Sequence, residues 1–173
     1  MQPLLLRLRY LRSREALATV VLPVMMVWSW WAKEADVAWP LRTAALALVA
    51  WVLAQGTLYW HLKLRAIEGD GALPSWFHRL YRGFKWSNLI AIGAMLAMLL
   101  LADRDALTNA DLGWTLALLA GAVLEQINYF HYQLMYDTRA AVAYLLRHRR
   151  LRKAALGIDI ARSAAMAARA APG

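Results

Sequence analysis

Four apolar runs, separated by short charged segments, dominate the pattern of hydrophobic and polar positions along the chain. They cover residues 16–32, 41–62, 87–102 and 112–136. Each run is close to the length of about 20 residues that an α-helix needs to cross the hydrocarbon core of a bilayer. The pattern predicts an all-α polytopic membrane protein whose four helices form a transmembrane bundle.

Residues 75–85 predict a further helix that is basic and amphipathic. Phe77, Tyr81 and Phe84 recur at helical spacing and share one face. The opposite face carries Arg79, Arg82 and Lys85. We expect this helix to lie in the membrane surface, between the second and third spans, or to extend the third span into the cytoplasm.

The chain after Asp137 is rich in alanine, leucine and arginine. It predicts a basic helix that continues from the fourth span, followed by an alanine-rich tail from Ser163. The chain therefore divides into a transmembrane domain over 1–137 and a cytoplasmic segment over 138–173.

Lysine and arginine set the expected orientation. Four lie before the first run, five in residues 63–85 and eight after residue 138, against three in the two remaining connections. Because positive charge collects on the cytoplasmic side, both termini are expected there. The net charge of +9 and the 61% hydrophobic content fit an integral protein of a bacterial inner membrane.

Cysteine is absent from the sequence, which excludes disulfides, thiolate catalysis and cysteine-ligated metals. Nucleotide-binding loops and zinc-protease motifs are also absent. We predict no catalytic residue, no metal site and no cofactor. Haem b is a minor alternative. Bis-histidine ligation needs two imidazoles that face each other inside the bundle, and the histidines within the predicted spans are His61 and His131.

The fourth run concentrates polar side chains in one segment, LEQINYFHYQLMYD. On a helical wheel five of them share a face, and Gln133 lies at its edge. The shared face carries Glu125, Asn128, Tyr129, Tyr132 and Tyr136.

Glu125 lies near the middle of the predicted span, where a charged side chain costs about 2.5–3.5 kcal/mol. Gln55 and Tyr59 share a face of the second span and could contribute hydrogen bonds. We predict an ion- or ligand-binding site formed by Glu125, Asn128, Tyr129, Tyr132, Gln133, Gln55 and Tyr59.

Two interpretations of these polar residues remain open. Glu125 could be a structural group that fixes the register of neighbouring helices. It could also be a protonatable group in a transport path, which the number of polar neighbours favours. The first functional hypothesis is therefore an oligomeric transporter or channel.

The alternative is a non-catalytic accessory or assembly protein that docks a membrane partner through its polar helix face. A haem- or lipid-handling membrane enzyme is a minor alternative.

Basic clusters predict contacts with anionic lipid headgroups. The residues concerned are Arg79, Arg82, Lys85, Arg147, Arg149, Arg150, Arg152 and Lys153. Nucleic acid is the less favoured partner, because no aromatic platform accompanies these charges.

Overall fold

The computed structural model describes residues 2–69, 71–136 and 139–170, and six helices account for most of them. They are α1 (Gln2–Lys33), α2 (Trp39–Glu68), α3 (Phe77–Leu101), α4 (Asn109–Phe130), α5 (Arg139–His148) and α6 (Ala155–Ala170). The first four are long and apolar enough to cross a membrane. The all-α fold with four spanning helices is confirmed.

The second helix occupies the centre of the bundle. More than half of its most apolar stretch is buried (56%), against 6% for that of α1. Helix α2 packs against α1, α3 and α4, and α3 also packs against α4. The chain therefore crosses the bundle four times with α2 at its centre, and connections 34–38 and 102–108 lie at one end, the loop end. The other end carries the start of α1 and is called the termini end.

Helix α4 is shorter than the sequence predicted. It begins at a capping box, in which Thr108 and Asp111 bond each other's backbone, and it ends at Phe130 rather than Tyr136. The backbone N–H of Leu134 donates to Asn128 Oδ1 (2.9 Å), and the N–H groups of His131 and Tyr132 both donate to Ile127 O. These bonds turn the chain out of the helix, so the helical wheel does not apply beyond Phe130.

The segment that follows α4 pairs with the segment before α6. Gln133 N donates to Arg152 O (2.8 Å), and Ala154 N donates to His131 O (3.1 Å). The second of the two C-terminal helices, α6, then packs on α3 and α4. A Cβ at Gly157 would lie 2.9 Å from Phe130 O, so the close approach of α6 to the end of α4 requires glycine there.

Two other sequence expectations concern the amphipathic segment and the chain after α4. Residues 77–85 belong to α3, so of the two arrangements expected for the amphipathic segment, the structure has the one in which it continues into the third span. The C-terminal segment contains two helices where one continuous helix from α4 was predicted. Asp137 and Thr138, which the sequence placed at this junction, lie outside the described residues.

Candidate functional site

A cavity of about 570 Å³ lies at the termini end of the bundle. Helices α1, α2 and α4 form its sides, and the segments on either side of α5 complete it together with the first residues of α6. Its lining residues are Arg7, Tyr10, Leu11, Arg14, Glu15, Ala18, Leu53, Tyr59, Trp60, Glu125, Asn128, Tyr129, Gln133, Met135, Arg152, Ala155 and Leu156. The volume is within the range of small-molecule sites.

Glu15 of α1 joins three helices across this cavity. Its carboxyl group accepts a hydrogen bond from the Tyr129 hydroxyl of α4 and one from Trp60 Nε1 of α2 (3.3 Å). Thr19, one turn further along α1, lies 3.5 Å from the Thr57 hydroxyl of α2. The contacts hold the termini end of α1 against α2 and α4.

Glu125 provides a second carboxyl group to the same cavity. Asn128 Nδ2 donates to it (3.1 Å) from one turn further along α4. Among the described residues, the hydrogen-bond donors to Glu15 and Glu125 are therefore a phenol, an indole and a carboxamide, all of them neutral. Two acidic groups thus share a cavity without a described cationic side chain bonded to either.

Glu125 also lies closer to the helix end than the sequence predicted. With α4 ending at Phe130, five residues separate Glu125 from that end, which is about 8 Å at 1.5 Å per residue. The expectation of a carboxyl group near the middle of the span was wrong, because it assumed a helix that continues to Tyr136.

Gly56 of α2 allows the Glu15–Tyr129 contact. A Cβ at this position would overlap both the Tyr129 hydroxyl and a carboxyl oxygen of Glu15. The bond between the two side chains therefore crosses directly over the glycine backbone.

Five of the seven residues predicted for the site line this cavity: Glu125, Asn128, Tyr129, Gln133 and Tyr59. Tyr132 does not, since it follows the end of α4 and is about half exposed. The Tyr59 hydroxyl donates to Asp159 Oδ2 of α6 (2.7 Å), and Lys63 Nζ contacts the same oxygen at 2.6 Å. Tyr59 therefore attaches the C-terminal helix to the bundle as well.

Gln55 lies in a separate group of buried amides, the amide cluster of Gln55, Asn88 and Gln126. Gln55 and Asn88 exchange two hydrogen bonds of 2.9 Å, and Asn88 Nδ2 donates to Gln126 Oε1 (3.0 Å). Gln126 Nε2 in turn donates to Lys85 O (3.1 Å). The cluster joins α2, α3 and α4, so Gln55 belongs to a group of buried amides that fixes how these three helices pack.

Sequence reasoning missed Glu15 and Trp60. Glu15 is the only acidic residue among the first 33, and it lies immediately before the predicted start of the first span. That isolated position could have singled it out. The helix actually begins at Gln2, so Glu15 lies well inside α1.

The loop end is closed by a buried ionic group. Arg42 of α2 is fully buried; its Nε donates to Asp111 Oδ1 (2.7 Å) and its Nη2 to Glu34 Oε2 (2.6 Å). Its guanidinium also lies over the ring of Trp30 in α1, 5.4 Å from the centroid. The hydrogen bond from Arg42 lowers the pKa of Glu34 below its ordinary value.

This pKa predicts a pH dependence of stability. A carboxyl group with a lowered folded-state pKa stabilises the fold above its ordinary pKa of 4.5, and the stabilisation is lost as pH falls through the folded-state value. We expect the thermal stability advantage of the wild type over Glu34→Gln to be full at pH 7 and to shrink below pH 4.5. Thermal unfolding in nanodiscs against pH measures it.

Asp111 is present in both proteins, so the difference between them follows Glu34 alone. A difference that stays constant from pH 7 to pH 3 would contradict the assignment.

No family model, curated protein or solved structure matches the chain. Within residues 2–69, 71–136 and 139–170, no group of three or more His, Asp or Glu side chains is arranged to hold a metal ion. His131 is exposed just after α4, and His61 is partly buried on α2.

Proposed function

We propose that the protein is a membrane carrier that binds an organic cation in the termini-end cavity and exchanges it for protons. The observation that carries this proposal is the pair Glu15 and Glu125, which line one cavity and accept hydrogen bonds only from neutral groups among the described residues. Carboxyl groups in a membrane bundle bind cations or protons, and the two compete for the same oxygens.

An organic cation fits the cavity better than a metal ion. A volume of about 570 Å³ far exceeds that of one ion, and aromatic rings of Tyr10, Tyr59 and Trp60 lie along its sides. Aromatic faces attract ammonium groups, by about 0.5–2 kcal/mol depending on how far water is excluded.

The excess of lysine and arginine at the termini end supports a cytoplasmic position for that end and for the cavity. At the loop end, Arg42, Asp111 and Glu34 bond α2, α4 and the connection after α1 together. A carrier with this arrangement is open to the cytoplasm and closed on the opposite side.

The surface around the cavity supports a contact with anionic lipid. In α5, Leu146 is 73% exposed, and Arg147, Arg149 and Arg150 are exposed after it. An apolar side chain beside several arginines is typical of a helix that lies in the headgroup region.

The test of the carrier is flux of benzyltrimethylammonium, a permanent cation that cannot cross the bilayer as a neutral base. In proteoliposomes, the wild type is expected to move it in exchange for protons, which a pH dye inside the vesicles reports. Glu15→Gln and Glu125→Gln each remove one carboxylate. Each is expected to weaken binding of the cation about 30-fold and so to lower its flux.

Glu68→Gln is the matched control, because Glu68 is exposed, pairs with Arg9 and lies outside the cavity lining. It should leave flux unchanged. Equal flux in wild type and both cavity variants would overturn the proposal and favour the alternative of a partner-docking protein.

A further inference from the structure

Basic side chains surround the opening of the cavity. Arg7, Arg14 and Arg152 all line it, Arg7 lying two turns closer to the N-terminus than Glu15. Arg14 Nη1 donates to the Tyr10 hydroxyl (3.0 Å), so its side chain extends away from Glu15 toward the termini end. The cavity therefore has acidic groups in its interior and guanidinium groups at its opening.

Aromatic rings hold these guanidinium groups in place. Those of Arg7 and Arg14 lie 5.9 and 5.5 Å from the centroid of the Tyr10 ring. On the opposite side, the Arg152 guanidinium lies 4.4 Å from the centroid of Tyr144, and the backbone N–H of Arg152 donates to the Tyr136 hydroxyl (2.9 Å). The Arg152 guanidinium is at stacking distance from its ring, and a guanidinium stacked by its face keeps its N–H edge for planar anions such as carboxylate.

A ligand with a single charge matches only part of this cavity. A simple anion would meet Glu15 and Glu125 in the interior, whereas a simple cation would offer no anionic group to Arg14 and Arg152 at the opening. Electrostatic complementarity selects a ligand whose charges follow the same order.

We infer that the cargo is a zwitterion, with its ammonium group at Glu15 and Glu125 and a carboxylate or phosphate at Arg14 and Arg152. This inference rests on the proposed carrier function and names its substrate class. The aromatic and apolar side chains between the two charged regions, among them Trp60 and Leu156, contact the body of the molecule.

Two probes that differ by one carboxylate test the inference: benzyltrimethylammonium and its 4-carboxy derivative, which carries opposite charges at the two ends of one ring. Titration calorimetry on the protein in phosphatidylglycerol nanodiscs measures both affinities. We expect the zwitterion to bind about fivefold tighter, since a partly solvated ion pair contributes up to about 1 kcal/mol.

Variants of the two arginines test whether the tighter binding of the zwitterion comes from the opening of the cavity. Arg14→Gln and Arg152→Gln should each reduce that advantage, and the double variant should abolish it while leaving the affinity for benzyltrimethylammonium unreduced. Arg79→Gln makes the same change of charge on exposed α3 surface outside the cavity lining and should preserve the full advantage.

The outcomes separate the two proposals. Binding of the simple cation with no advantage for the zwitterion overturns the inference and leaves the carrier intact, and binding of neither probe overturns both. Addition of phosphatidylethanolamine to the nanodisc identifies the source of the zwitterion. Displacement of the bound probe assigns it to a lipid headgroup, and unchanged binding assigns it to a soluble molecule.

Discussion

Replacement of Arg42 by Met is expected to lower the free energy of unfolding by about 3–5 kcal/mol. The Arg42 side chain is fully buried and bonds Asp111 and Glu34 at once. Its removal leaves two carboxylates at the loop end without their cation, and the Asp111 carboxylate is itself buried. Unfolding of the protein in detergent, followed by circular dichroism, measures the loss.

Two further variants test whether loss of the ionic group causes the lower free energy of unfolding. Arg42→Lys keeps the charge but not the two-pronged geometry, so an intermediate loss is expected. Arg104→Met removes an exposed arginine near the same end and should change stability by less than about 0.5 kcal/mol. A loss below 1 kcal/mol for Arg42→Met would show that the ionic group contributes little to the fold.

Gly56→Ala is expected to weaken binding of benzyltrimethylammonium by about as much as Glu15→Gln does, about 30-fold, while the protein stays folded. The added methyl group occupies the space of the Tyr129 hydroxyl and the Glu15 carboxyl group, so both side chains must move away from their positions. A carboxyl group that is pushed aside no longer meets the cation, so the loss of affinity should match that of Glu15→Gln. The same calorimetric titration in nanodiscs measures the affinity.

Gly121→Ala of α4 is the matched control, since a Cβ there meets open space. It should bind the cation as the wild type does. If Gly56→Ala binds equally well, the Glu15 carboxyl group in its position beside Tyr129 is not part of the cation site. Thermal unfolding of both variants verifies that the bundle is intact.

The spanning helices could be predicted because apolar runs of membrane length allow few other structures. The polar residues of the fourth run were harder to place, because a helical wheel needs a helix. Asn128 accepts a hydrogen bond from the backbone of Leu134 and helps to end α4 early. Periodicity contains no information on that bond, which explains why Tyr132 was assigned to the site.

The partners of the polar residues also depend on tertiary structure. Glu125 and Tyr129 were identified from one helix, but the residue that bonds Tyr129 is Glu15, 114 positions away in the sequence. Gln55 and Asn88 find each other across α2 and α3. A single sequence gives the spacing within each helix, whereas these contacts depend on how the helices rotate against one another.

The amide cluster takes side chains from α2, α3 and α4 and none from α1. At the loop end, by contrast, fully buried Trp30 holds α1 against Arg42 and the ring of Trp114. Helix α1 is therefore attached outside the amide cluster, by Trp30 at the loop end and by Glu15 at the termini end. Loss of the Glu15 contacts is expected to loosen the termini end of α1 while the bonds among α2, α3 and α4 stay in place.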